Sequence, residues 1–170
     1  MATATSQLSV QDYLKMTCDP DCEFVEGVLE ERPVGELDHA SWQKALIRWF
    51  GGREAEWEMR VYPELRVQVA ANRFRVPDVT VLSREAPREQ IITHPPLAVF
   101  EILSPEDTMT RMLEKLADYE RMGIRAIWVI EPTKRSYFRF TEGKLIPASV
   151  FELPGSSFSV PIAEIEKLID

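Results

Sequence analysis

The chain is poor in the residues that most often build metal centres. It has two cysteines and two histidines in 170 residues. Cys18 and Cys22 lie close together near the N-terminus, and no second cluster joins them. That count argues against zinc chemistry, and the two thiols are expected to be reduced and incidental, with a small disulfide as the alternative. No apolar run approaches the length of a membrane span, and no signal-type apolar region stands near the N-terminus, so a soluble, cytoplasmic protein is expected. Gly51-Gly52 ends a helical stretch and is not followed by Lys-Ser or Lys-Thr, which removes a phosphate-cradling loop. A nucleophilic Ser elbow and a His-Glu-x-x-His pair are also missing. Positive charge is short: the net charge is −8, which does not suit a broad phosphate-binding surface. Basic residues are nonetheless bunched. Arg60, Arg66, Arg73, Arg75, Arg84 and Arg88 crowd one window, as solvated strand edges or as a binding patch.

What is present suits one domain over residues 1–170, with 45% hydrophobic residues and enough length for a core. Residues 1–8 read as a flexible lead. Ser9 can cap a short helix to about Met16. Phe24 to Arg32 reads as a strand or hairpin. Asp38 can cap a second helix, whose apolar stripe is Trp42, Ala45, Leu46, Trp49 and Phe50, with His39 on the same face. Two strand-like spans, Glu56 to Val69 and Phe74 to Leu82, are expected to form a hairpin about Ala71-Asn72-Arg73. Residues 84–96 read as a mobile loop. Ser104-Pro105-Glu106-Asp107 signals a helix running to about Met122, with Met109, Met112, Leu113, Leu116 and Tyr119 buried and Gly123 closing it. Ile124 to Ile130 is a second apolar strand, so strand, helix and strand make a crossover unit. A closing hairpin over 137–146 and a short helix over 163–169 complete an α/β or α+β fold with a mixed sheet.

Within this frame, the run Leu97 to Pro105 contains a single carboxylate, Glu101. Alternation puts Ala98, Phe100 and Ile102 on one face and Val99, Glu101 and Leu103 on the other. Both faces are apolar, so the strand is central and covered on both sides. An ionised Glu there costs several kcal/mol unless it is paired, hydrogen-bonded or bound to a metal. Asp78, after Pro77, is a second acid among apolar neighbours. The plainer explanation is a turn cap for Asp78 and an Arg partner for Glu101. Two such acids on neighbouring strands favour a hard-oxygen site for Mg²⁺ or Mn²⁺, which can polarise a phosphoryl oxygen and acidify a bound water.

Pro77-Asp78, Glu101 before Leu103-Ser104-Pro105, Lys115, Tyr119 followed by Gly123, and Trp128 to Pro132 come in an order that resembles the bacterial "Uma-two" restriction-endonuclease-like family of the PD-(D/E)XK nuclease superfamily. Phe24-Val25-Glu26-Gly27 and His39 resemble that family's N-terminal segment and first-helix histidine. The resemblance implies a restriction-endonuclease-like core, a central mixed sheet flanked by helices, with Asp78 and Glu101 as metal ligands and DNA as substrate. It also implies a possible homodimer that sets two sites on one duplex. Lys115 is implied as a catalytic residue; Glu26 could be a third acid, and His39 a neutral donor or acceptor. One departure stands out. Glu-x-Lys would put the lysine at position 103, which is Leu103. A helix starting at Pro105 carries Lys115 nearly three turns along, about 15 Å at 1.5 Å per residue, so reaching Glu101 requires the helix to cross back over the sheet. The missing lysine and the acidic charge keep two alternatives open: a non-catalytic nucleic-acid- or protein-binding relative on the same fold, and a hydrolase of another phosphate ester.

Overall fold

The computed structural model describes residues 7–18, 21–153 and 155–169. In chain order the elements are α1 (Val10–Lys15), β1 (Cys22–Val25), β2 (Val28–Glu31), α2 (Leu37–Gly51), β3 (Met59–Pro63), β4 (Val67–Ala70), β5 (Arg73–Arg75) and β6 (Val79–Ser83). There follow β7 (Ala98–Ile102), α3 (Met109–Met122), β8 (Ala126–Glu131), β9 (Ser136–Thr141), β10 (Lys144–Pro147), β11 (Val150–Glu152), β12 (Ser159–Pro161) and α4 (Ile162–Glu166).

The main sheet has six strands in the order β10-β9-β8-β7-β6-β3. Only β7 and β8 run parallel, joined through α3, so the sheet is mixed and β7 lies inside it. The two faces expected for the Leu97–Pro105 run are observed. Ala98, Phe100 and Ile102 meet Trp42, Leu46 and Phe50 of α2, with Trp128, Phe151 and Ile165. Val99 faces Met112, Leu116 and Tyr119 of α3. Burying each such side chain contributes about 1.5–3 kcal/mol, which is why a strand apolar on both faces needs helices on both. A four-stranded antiparallel sheet, β2-β1-β5-β4, packs beside this core, and β11 pairs with β12. The two outer strands of the main sheet, β3 and β10, each end on a proline, Pro63 and Pro147.

The structure differs from the sequence expectations in six places. Phe74–Leu82 is not one strand. It breaks at Val76-Pro77-Asp78 into β5, in the small sheet, and β6, in the main one, where Pro77 cannot donate to a ladder. Residues 84–96 are irregular but anchored: Ile92 is buried, and its N–H and C=O bond Arg66 and Gln68. The α2 cap is Glu36, without a side-chain bond, and Asp38 lies inside the first turn. Cys18 and Cys22 are joined by a disulfide, with Cα atoms 5.8 Å apart, inside the usual span for such a bond. The lead expected over 1–8 falls mostly outside the described residues, but Leu8 packs beside Tyr13 and Phe24.

The sixth difference concerns α3. Its cap is Thr108, whose hydroxyl accepts from the Arg111 N–H, while the Ser104 N–H is taken by Asp107 in a preceding turn. The buried face also differs from the one expected: Met112, Lys115, Leu116, Asp118 and Tyr119 are inside, and Met109 and Leu113 are exposed. Gly123 ends the helix at φ 98°, a left-handed conformation that a side chain resists. Gly123→Ala is therefore expected to lower stability by about 1 kcal/mol, or about 2–4 °C in Tm by thermal denaturation, although only a proline ring carbon at 3.7 Å meets the new Cβ.

Candidate active site

The pairing that sets Val79 against Phe100 continues one step to place Asp78 opposite Glu101. A backbone bond fixes this: the Ile102 N–H donates to Asp78 Oδ2 at 2.7 Å. Both carboxylates line one cavity of about 40 Å³, together with Glu23, Arg32, His39 and Lys115. Asp78, Glu101, Glu23 and Lys115 are all buried.

Lys115 reaches the strand carboxylate. Because α3 begins at Met109, Lys115 lies six residues along it, about 9 Å, and on the buried face. Its Nζ is 2.8 Å from Glu101 Oε2, 2.8 Å from Glu23 Oε1 and 3.2 Å from the Val76 carbonyl. Those three acceptors match the three protons of an ammonium. The other Glu101 oxygen, Oε1, accepts from the Tyr119 hydroxyl at 2.6 Å.

The charges at the site hold one another. Burial pushes the Glu101 carboxyl up to about 7, with the Lys115 charge opposing and the Asp78 and Glu23 charges reinforcing that rise. Burial works against the Lys115 charge too, but the Glu101, Glu23 and Asp78 carboxylates outweigh it and hold the ammonium protonated. Asp78 is buried as well, yet the His39 hydrogen bond and the charges of Lys115, His39 and Arg32 keep its carboxyl below the usual range. His39 Nε2 lies 3.3 Å from Asp78 Oδ1; burial lowers the imidazole pKa, and the Asp78 hydrogen bond together with the Asp78 and Glu101 charges outweighs this and raises it.

Of the five residues singled out in the sequence, four converge here: Asp78, Glu101, Lys115 and His39. Glu26 does not. It occupies the β1–β2 turn at φ 50°, its side chain is exposed, and it pairs with Arg73 Nη2 at 2.9 Å. The acid that β1 contributes is Glu23, three residues earlier. Its Oε1 also accepts from the Val76 N–H at 2.9 Å, and its Oε2 from Arg75 Nη1 at 2.9 Å. The sequence signal for Glu23 was the one that flagged Glu101: a lone carboxylate in an apolar run, Cys22-Glu23-Phe24-Val25. His39 is not packed among the apolar side chains of α2 but faces Asp78. Four of the six arginines of the window have internal partners, while Arg84 and Arg88 are exposed. Arg75 is fully buried, Arg73 bonds Asp118 and Glu26, Arg60 donates to the Ser83 and Ala86 carbonyls, and Arg66 stacks on Tyr13.

Arg32, just after β2, was not anticipated. Its Nη2 donates to Asp78 Oδ1 at 2.6 Å, and its Nη1 lies 3.6 Å from Glu64 and 3.8 Å from Asp21. Among the described residues, no three His, Cys, Asp or Glu side chains are gathered as a ready-made metal cluster. The donor chemistry still fits a hard divalent ion. Asp78 Oδ2 and both Glu101 oxygens each accept one protein donor and keep a second lone pair, while Asp78 Oδ1 already meets two donors, the Arg32 guanidinium and His39 Nε2.

The fold resembles that of a crystal structure described as a "putative nuclease belonging to DUF820" from Anabaena variabilis. The TM-score is 0.80 at 21% identity, over 96% of this chain and 99% of that one. No curated protein matches the chain. Among the described residues no helix is long and apolar enough to cross a membrane. The family model described as "Putative restriction endonuclease" matches residues 10–164, nearly the whole chain, and the protein belongs to that family, Uma2.

Proposed function

We propose that the protein is a divalent-metal-dependent endonuclease that hydrolyses DNA phosphodiester bonds. The observation that carries this reading is the contact of Lys115 Nζ with Glu101 Oε2 at 2.8 Å. It supplies from a helix the cation that Leu103 cannot supply from the strand. Asp78 and Glu101 would hold Mg²⁺ or Mn²⁺, which when bound polarises a phosphoryl oxygen and acidifies a water. Lys115, held protonated, orients that water or offsets charge developing on the phosphate. Tyr119 fixes one oxygen of Glu101, leaving its second lone pair directed by the fold rather than by solvent. His39 holds Asp78 ionised by hydrogen bonding at Oδ1. The nuclease family and the nuclease described in the structural neighbour support the reading. A homodimer in the cytoplasm that presents two such sites to one duplex belongs to the same proposal.

The test is plasmid nicking with Mg²⁺ or Mn²⁺. Lys115→Met is expected to lower kcat by about 10²–10³, the usual loss of one preorganised donor, while ion binding is retained or tightened because a positive charge beside Glu101 is gone. Folded protein that neither binds ion nor cuts DNA would leave the second reading, a binding module on the same fold. That reading has its own observation: an arginine already occupies Asp78.

A further inference from the structure

We infer that Arg32 is a built-in competitor for the divalent ion, holding Asp78 Oδ1 in the ion's absence and transferring to Glu64 and Asp21 when an ion binds. The inference rests on the reading of Asp78 as a metal ligand. Four observations carry it.

The contact is direct, at 2.6 Å, and falls on Asp78 Oδ1, the oxygen that Ile102 does not bond and that His39 Nε2 approaches less closely, at 3.3 Å. The guanidinium is a fork, and its other arm already faces two further carboxylates, Glu64 and Asp21, at 3.6 and 3.8 Å. Both of these acids are about half exposed, with side-chain accessibilities of 49% and 46%, so a cation moved onto them stays paired while gaining water. Arg32 lies just beyond the end of β2, in the Arg32–Glu36 stretch outside any helix or strand, where a side-chain swing disturbs no ladder.

Charge favours the exchange. Three buried carboxylates, Glu23, Asp78 and Glu101, meet at the cavity, where Glu23 has Arg75 and Lys115 and Glu101 has Lys115, so that Arg32 is the guanidinium on Asp78. A divalent ion in place of that monovalent guanidinium offsets more of the repulsion between Asp78 and Glu101, and Arg32 keeps its own partners at the rim. Without an ion, the guanidinium prevents the carboxylates from repelling one another. The fold can then form before metal arrives, but the ion must displace a partner to bind, which weakens its apparent affinity.

Calorimetric titration of the full chain with Mn²⁺ tests this, using wild type, Arg32→Gln and Asp78→Asn. Arg32→Gln is expected to bind Mn²⁺ about tenfold more tightly. Its metal-free form should melt below wild type, and saturating Mn²⁺ should raise its Tm more than that of wild type. Removing any nearby positive charge helps a cation, so movement is read separately. The Arg32 side-chain Nε–Hε resonance is expected to shift on adding Mg²⁺, saturating with the calorimetric Kd. If wild type binds Mn²⁺ and Asp78→Asn does not, yet the Arg32 resonance stays still or Arg32→Gln binds no more tightly, this inference is overturned while the proposed function stands. If no form binds Mn²⁺, both are overturned.

Discussion

Asp78→Asn is expected to abolish ion binding and to lower cleavage by about 10³-fold or more, while the protein stays folded. The substitution keeps the size of the side chain and an oxygen to accept the Ile102 N–H, so the β6–β7 junction is retained. What goes is the charge. Loss of an ion worth several kcal/mol to the transition state is a loss of at least three decades, at about 1.36 kcal/mol per decade. Glu101 supplies the internal check. Its carboxyl is raised first by burial and in part by the Asp78 charge, so in Asp78→Asn it should titrate below the wild-type value of about 7. Carbon-detected NMR of labelled Glu side chains reads this without any assay of activity. Cleavage at the wild-type rate by Asp78→Asn would remove Asp78 from the site.

Arg75→Met is expected to be the most destabilising single change away from the cavity. Arg75 is fully buried and ties three elements together. Its Nε donates to Asp118 on α3 at 2.8 Å, and its Nη1 to Glu23 on β1 and Glu30 on β2, each at 2.9 Å. Removing one partner of a buried ionic network costs about 3–5 kcal/mol, because the remaining charges stay buried. The lower end applies here. Glu23 keeps Lys115, Asp118 keeps Arg73 and Arg121, and Glu30 keeps Arg111. A loss of about 3 kcal/mol corresponds to a fall of about 6–12 °C in Tm for a chain of this size. Arg75→Lys should recover little, since a point charge cannot span three carboxylates.

The loss also has a pH signature. Burial opposes ionisation of Glu23, but Lys115 and Arg75 hold its carboxyl below 4.5. A carboxyl depressed on folding contributes stability above its unfolded pKa and loses it as pH falls through the folded value. The difference between wild type and Arg75→Met is therefore expected in full at neutral pH, and to shrink below about pH 4.5, by denaturant titration across that range.

Arg75 also shows why some of the site could be read in the sequence and some could not. Asp78 and Glu101 were visible because a carboxylate inside an apolar run is costly wherever the strand goes. The same reasoning applied to Cys22-Glu23-Phe24 and Phe74-Arg75-Val76 would have marked Glu23 and Arg75 as a buried pair. They were obscured by neighbours: Glu26-Gly27 drew attention as a motif, and Arg75 was one of several nearby arginines. The reach of Lys115 depended on a helix start that local signals misplace. Ser104 and Pro105 are good helix openers, but Asp107 closes a turn on Ser104 and Thr108 does the capping. A shift of four residues in the start moves Lys115 about 6 Å nearer the beginning of the helix, which decides whether its side chain reaches Glu101. A mixed sheet with helices packed on it followed from hydrophobic alternation and the strand–helix–strand spacing. Its division from the small sheet at Pro77 did not, because both halves of that span read equally well as strand.

The prolines that close the outer strands bear on how copies of the chain can meet. A sheet grows by lending its unpaired edge to another strand, and a residue without an N–H interrupts that template. Here Pro63 ends one margin and Pro147 the other. Like charges add to the barrier, since each copy carries −8. Continuation of the sheet from one molecule into the next is disfavoured at both ends. The inner strand β7, which carries Glu101, therefore keeps its pairing within one molecule, whatever other surfaces two copies use to meet.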